Sequence, residues 1–286
     1  MALPPRLFDT ELLARRRARA RTLGGADFLQ EAAADEISER LLEVNRTFRQ
    51  AALIGPRPDI WEPILSPRMA GDLTAVADDE TLALAPGGFD LVVHALCLHW
   101  ANDPVGQMVQ ARRALRPDGL FLGVMFGGAT LNELRSALAQ AETEMTGGLS
   151  PRVAPMGEIR DLGGLLQRAG LALPVADSLK LDTSYESAVH LMRDLRAMGE
   201  TNVMAERMRR PLPRTLLARA CAIYAEQFGR EDGRIGATFE LVFLTGWAPA
   251  ENQPQPLRPG SAKASLADAL DFGRKSTPPD TGDPGT

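Results

Sequence analysis

Two rhythms of apolar residues divide this chain. Over residues 8–45 they recur at helical spacing. In "DFLQEAAADEISERLLEV" the residues Phe28, Leu29, Ala32, Ile37, Leu41 and Leu42 fall near one face, and Asp27 stands where an N-cap belongs. At 48–54 the pattern changes to a short apolar run that predicts a strand, and "DLTAVA" at 72–77 predicts another. "FDLVVHALCLHW", residues 89–100, opens as an unbroken apolar strand, the mark of a strand covered on both faces. Asp103 and Pro104 then open a helix with Val105, Met108, Val109 and Leu115 on one face. "RPDG" at 116–119 reads as a turn, 120–126 as a buried strand and "LNELRSALAQAETEM" as a helix. Further helices are predicted over 158–170, ending at Gly170, and over "SAVHLMRDLRAMG", with a late strand at 239–249. Strand and helix alternating in this way argue for a parallel sheet covered by helices. From Glu251 prolines and glycines replace large apolar residues, so 251–286 reads as a Pro-rich, mostly disordered tail.

Composition narrows the function classes. The 286 residues carry a net charge of −5, which argues against a general nucleic-acid binder. Cys97 and Cys221 are far apart and lack metal-ligand spacing, and the three histidines do not cluster with them. No metal site is expected, and a reduced, cytoplasmic compartment of a bacterial cell fits. The apolar runs are too short for a membrane span. Arg15, Arg16, Arg17, Arg19 and Arg21 form a basic N-terminal segment. A solvated helix face is the favoured reading over a cleaved signal, with a peripheral membrane or partner contact as a further one.

The stretch "GGFDLVVHALCLHWANDPVGQMVQARRALRPDGLFLGVMFGG" resembles the class I S-adenosylmethionine-dependent methyltransferases, in which an F-D-L-V strand leads through a helix and an L-x-P-D-G turn to the next strand. "AETEMTGGLSPRVAPMGEIRDLGGLLQRAGL", "LMRDLRAMGETN" and "EDGRIGATFELVFLTGW" are similar to one subfamily, from about Phe8 to Leu266. That subfamily contains the mitochondrial complex I assembly factor with a methyltransferase fold, and lies near the carrier-protein methyltransferase of biotin synthesis. The mitochondrial member is associated with hydroxylation of an arginine on a complex I subunit. The resemblance implies an α/β, Rossmann-like sheet, mostly parallel and seven-stranded, with S-adenosylmethionine as cofactor.

The loop after the first strand departs from that family. Its usual D/E-x-G-x-G-x-G lets the backbone approach the methionine moiety and aims free N–H groups at the carboxylate. Here the turn is Gly55-Pro56-Arg57-Pro58, and the two prolines have no N–H. The segment to Asp78 is about twenty residues shorter than the family pattern, so the sheet is expected to be shortened near strand two and no ribose-binding acid can be named. Loss of a charge-assisted hydrogen bond costs about 1.5–3 kcal/mol, so losing two or three weakens binding by orders of magnitude. By resemblance, Gly55, Asp78 and Asp79 remain on the cofactor side, Asp78 matching the acid that faces the adenine amine, while Leu96 and Leu98 belong to the stretch lining the methionine and substrate side.

His99 and Trp100 follow a strand at the end where open α/β sheets bind ligands. His99 reads either as a proton acceptor or as a buried histidine bonded to backbone, and both residues are the catalytic candidates. His94, His190 and Cys97 read as packing residues, Gly127-Gly128 as a turn, and Glu133 and Arg135 as an exposed helix face. Arg152 is expected to be solvated on a loop that the family places over the active-site mouth, and Asp161 to lie in a first helical turn. The domain reading is an N-terminal helical cap at 1–46, a methyltransferase-like domain at 47–250 and the tail. The leading function is an S-adenosylmethionine-dependent methyltransferase with a degenerate cofactor loop, acting on a protein or small-molecule acceptor. The rival is a non-catalytic or hydroxylase-type assembly factor that binds a respiratory complex I subunit.

Overall fold

The unbroken apolar runs become strands buried on both sides. The computed structural model describes residues 6–251 and 253, and the chain up to Ala250 forms one compact unit. The disordered-tail expectation for 251–286 falls, but for two residues, outside the described residues. Strands β1 (Phe48–Ile54), β2 (Met69–Val76), β3 (Phe89–His94), β4 (Leu115–Phe126), β5 (Ala172–Tyr185) and β6 (Ile235–Trp247) form one sheet in the order β2-β1-β3-β4-β6-β5. The pairs β2–β1, β1–β3 and β3–β4 are parallel, and β6 runs antiparallel to both neighbours. The mostly parallel sheet is as expected, with six strands among the described residues instead of seven.

The parallel edge of the sheet is β2, joined to β1 by a short connection. Between β1 and β2 lie an eight-residue helix, α3 (Pro58–Leu65), opened by Pro58 at its first position, and a 3₁₀ turn, Ser66–Arg68. One crossover fills the sequence where the family pattern has room for more.

Side chains alternate across the sheet to feed two cores. Ala51 and Leu53 of β1 and Leu91 and Val93 of β3 pack with α2 (Phe28–Glu43), α3, α5 (Asn132–Thr146), α7 (Ala188–Met198) and α8 (Arg214–Phe228). Ala52, Ile54 and Val92 face the other way, onto α4 (Pro104–Ala114) and α6 (Ile159–Arg168). The result is a three-layer α/β/α sandwich.

Several elements depart from the sequence pattern for identifiable reasons. The region 8–45 is two helices, α1 (Thr10–Arg21) and α2, parted by Gly24 and Gly25, both with positive φ. Asp27 does not cap α2, because its carboxylate is taken by the Arg57 guanidinium. "RPDG" is absorbed into β4 as a bulge opposite β3, with Asp118 at φ 62°. β6 begins at Ile235, earlier than predicted, because it pairs along the full length of β5. Among the described residues, no helix is long and apolar enough to cross a membrane.

Candidate functional site

The parallel strands β1, β3 and β4 end on the same side of the sheet, and three cavities open above that edge. The first, about 820 Å³, is lined by Asp78, Asp79, Cys97, Trp100, Gln107 and Arg17, among others. The second, about 520 Å³, lies over Pro56, Arg57 and Pro58 and is bounded by Arg17, Arg21 and Glu200. The third, about 620 Å³, has an apolar floor that includes Phe126, Leu134 and Phe239, with Trp100 and Glu200 in its wall. Arg17, Trp100 and Glu200 are thus shared walls: each borders two cavities.

The turn after β1 is closed by its own chain. The Gly55 N–H donates to Val76 O at 3.0 Å and extends the sheet ladder, so it is not offered to a ligand. A Cβ at Gly55 would stand 3.0 Å from both Cβ and O of Ala95. Gly55, expected as a cofactor contact, therefore serves the close approach of two chain segments and lines none of the three cavities. Arg21 donates to Pro56 O at 2.9 Å, and Arg57 is held between Asp27 and Asp59. Those carboxylates drive the Arg57 pKa upward, and Arg57 in turn lowers that of Asp59.

Asp78 and Asp79 follow β2 and both line the first cavity. Asp78 is paired with Arg17 of α1 at 2.7 Å, with both side chains largely buried. Burial works against the Arg17 charge, but Asp78 and then Glu200 outweigh it and raise its pKa. Nε and Nη2 of Arg17 are buried with no hydrogen-bond partner. Arg16 and Arg21 also reach chain groups at this edge, Thr201 and Pro56. This corrects the expectation of a fully solvated basic face: Arg17 is largely buried, and Arg21, one turn on, reaches Pro56 from an exposed position, while Arg15 and Arg19 stay exposed.

A 3₁₀ turn, Leu98–Trp100, follows β3 and sets the two catalytic candidates side by side. Trp100 Nε1 donates to Glu200 Oε2 at 2.6 Å, and His99 Nε2 lies 3.1 Å from the same oxygen. The His99 side chain is 1% exposed, its ring sits 4.6 Å from that of Phe126, and its Nδ1 has no partner. So His99 is buried, but its partner is a carboxylate where backbone was the alternative. Glu200 had no role in the sequence reading. It follows Gly199, which ends α7 at φ 82°, and lies about a hundred residues from His99 in the chain. Its only trace was the "GETN" of a family-like segment.

Leu96 and Leu98, expected beside the cofactor, are core residues, each 1% exposed and lining none of the three cavities. Leu96 has φ 45°, which turns its side chain into the α2-side core while Leu98 joins the α4 side. His94 is fully buried and bonded through Nε2 to Gln107 Oε1 at 2.7 Å, and burial pushes its pKa down to about 4. Cys97 lies against His94 Nδ1, and burial raises its thiol pKa well above the usual value, so the thiolate is suppressed.

Around the third cavity, Arg152 pairs with Glu142 at 2.7 Å and is largely buried, against the expectation of a solvated loop arginine. Glu133 and Arg135 are also half-buried: Glu133 accepts from Thr238, and Arg135 donates to Thr130 O. The left-handed Leu131 (φ 54°) angles α5 so that this face meets β6. Glu240 and Glu158 occupy the space beside Gly127 and Gly128, leaving no room there for a substrate backbone.

With this geometry in view, similarity to known proteins is informative. A family profile described as a methyltransferase domain matches residues 58–123, beginning just past the Gly55-Pro56 turn. The mitochondrial arginine-hydroxylase NDUFAF5 of Danio rerio is 36% identical over 269 residues, covering 87% of this chain and 84% of that protein. The Homo sapiens NDUFAF5 is 36% identical over 263 residues, covering 85% and 76%. A malonyl-[acyl-carrier protein] O-methyltransferase of Laribacter hongkongensis is 36% identical over 184 residues, covering 64% of this chain and 59% of that protein.

Proposed function

This chain belongs to the family of methyltransferase-domain proteins that includes the NDUFAF5 arginine-hydroxylases, and from that premise we propose that it transfers a group from S-adenosylmethionine to an acceptor held in the third cavity. The observation that carries the reading is Trp100, held by Glu200, which stands between an acid-lined cavity of nucleoside size and an apolar one. When bound, S-adenosylmethionine supplies an electrophilic methyl group.

The residues fit that donor with one substitution of means. Asp78 and Asp79 suit its nucleoside part. The backbone N–H donors that would meet its carboxylate are gone, because Gly55 spends its own on Val76 and the prolines have none. The orphaned nitrogens of Arg17, with Arg21 beside it, offer cationic donors in their place. On the acceptor side Glu200 fixes both neighbours. His99, buried behind Trp100 and lining none of the three cavities, holds the Glu200 carboxylate in place through Nε2 and acts on the acceptor only as a positioning residue. Trp100, anchored through Nε1, orients the acceptor against the wall.

Calorimetric titration of the full chain with S-adenosylmethionine tests this reading. Saturable binding at micromolar concentration, weakened about tenfold or more in Arg17→Ala, is expected. Silence at millimolar ligand overturns it in favour of the non-catalytic role, a scaffold for a respiratory complex I subunit, which affinity capture would then recover. The activity named for the NDUFAF5 relatives supports a second reading, arginine hydroxylation, in which dioxygen and a two-electron reductant would place one oxygen atom on the substrate and release the other as water. Mass spectrometry of a modified acceptor separates the two, by a gain of oxygen against a gain of methyl.

A further inference from the structure

The third cavity carries a charge pattern that the transfer reading does not use. Its floor is buried and apolar, built from Leu131, Leu134 and Leu138 of the α5 region, Leu195 of α7, Phe126 and Phe239. Its rim is cationic and drawn from three separate stretches: Arg16 of α1, Arg196 of α7, and Arg207, Arg209 and Arg210 of the loop before α8.

The carboxylates nearby are already engaged. Glu142 is held by Arg152 and by the Ser150 N–H and hydroxyl. Asp9 accepts from the Leu12 N–H at 3.0 Å and pairs with Arg207 at 3.2 Å. Glu200 is committed to Trp100 and His99. The rim therefore holds more positive charge than the protein balances. Arg16 registers the crowding: burial, then the charges of Arg207 and Arg196, lower its pKa, with Asp9 opposing.

We propose that this cavity binds a small amphipathic anion, a carboxylate on an apolar body, with the body on the α5–α7 floor and the head between Arg16 and Arg196. A neutral ligand of the same shape gains the apolar floor but leaves the cations uncompensated, and a cationic one adds to their repulsion. The cavity, at about 620 Å³, lies within the range of small-molecule sites. The proposal deepens the acceptor-side reading and rests on it for the anion's role as substrate, while the binding itself is measured independently of any transfer.

The probe is decanoate, titrated calorimetrically into the full chain, with decan-1-ol and decyltrimethylammonium as matched controls. Saturable decanoate binding is expected, at least tenfold tighter than decan-1-ol and weakened by added salt. The double variant Arg16→Gln/Arg196→Gln should lose roughly tenfold in decanoate affinity and leave decan-1-ol unchanged. If that variant misfolds by circular dichroism, Arg196→Gln alone, on an exposed position, takes its place. Equal binding of decanoate and decan-1-ol, insensitivity to the arginine substitutions, or no saturation overturns the proposal. A parallel S-adenosylmethionine titration separates the failures. Donor binding without decanoate binding sinks this inference alone, and decanoate binding without donor binding sinks the transfer reading alone.

Discussion

Two turns leave the sheet side by side, Gly55–Pro58 after β1 and Ala95–Trp100 after β3, and they have opposite fates. The first has drawn its polar groups inward. Its glycine N–H completes the ladder to β2, its proline carbonyl accepts from Arg21, and its arginine is bracketed by two aspartates. The second presents His99 and Trp100 to a carboxylate from a distant loop, at the junction of two cavities. A fold can thus draw the polar groups of one turn inward while the next sets its side chains against a remote carboxylate. The two depend on different things: the pairing of the turn's own polar groups in the first, a 3₁₀ turn and one remote acid in the second.

Three measurements sharpen that contrast. The largest effect is expected from the buried His94 that ends β3. Its pKa is pushed down to about 4 by burial, with nearby His99 and Arg17 adding to the shift while Gln107 and Asp78 oppose it. Between pH 4 and 6.5 the unfolded chain takes up a proton that the folded chain refuses, so stability falls as the pH falls through that window. The loss is about 3 kcal/mol by pH 4, read as a drop in the urea midpoint. His94→Gln should flatten the slope, and an unchanged slope would falsify the assignment to this residue.

Glu200→Ala comes next. It leaves Trp100 Nε1 and His99 Nε2 without their acceptor, at a cost of about 2 kcal/mol, measured by denaturant unfolding. Glu200→Gln keeps an acceptor for Trp100 and should cost less, and equal losses in the two variants would argue against the hydrogen bonds as the cause. Gly55→Ala is the smallest. Its Cβ would stand 3.0 Å from Ala95, and a backbone shift of a few tenths of an ångström costs about 1 kcal/mol. If the substitution is neutral, the packing role given to this glycine is wrong.

How much of this was legible depended on where each residue's partner lay. β1, β3 and the apolar half of β4 were readable because strands covered on both faces must be apolar at every position. β5 escaped notice because it is an edge strand exposed along much of its length, in which Pro174, Asp177, Ser178 and Lys180 interrupt the apolar residues. His99 and Trp100 could be nominated from their place after a strand. Glu200 could not, since nothing local marks an acid after a helix-ending glycine as the partner of a tryptophan on another turn. Asp78 was readable as an acid just past a strand, but its pairing with Arg17 was not, because helix α1 is joined to β2 only through the fold.

By itself the sequence determined the layers of the sandwich, the parallel order of its central strands, the loss of N–H donors at positions 56 and 58, and the shortening of the edge beside β1. Those follow from periodicity and covalent chemistry, which act over a few residues. Only the tertiary structure decided that Arg17 of α1 pairs with Asp78, that Glu200 joins His99 to Trp100, and that surplus cations ring an apolar cavity. Each of these depends on electrostatic and hydrogen-bond partners far apart in the chain, and such partners acquire their energy only when folding removes them together from water.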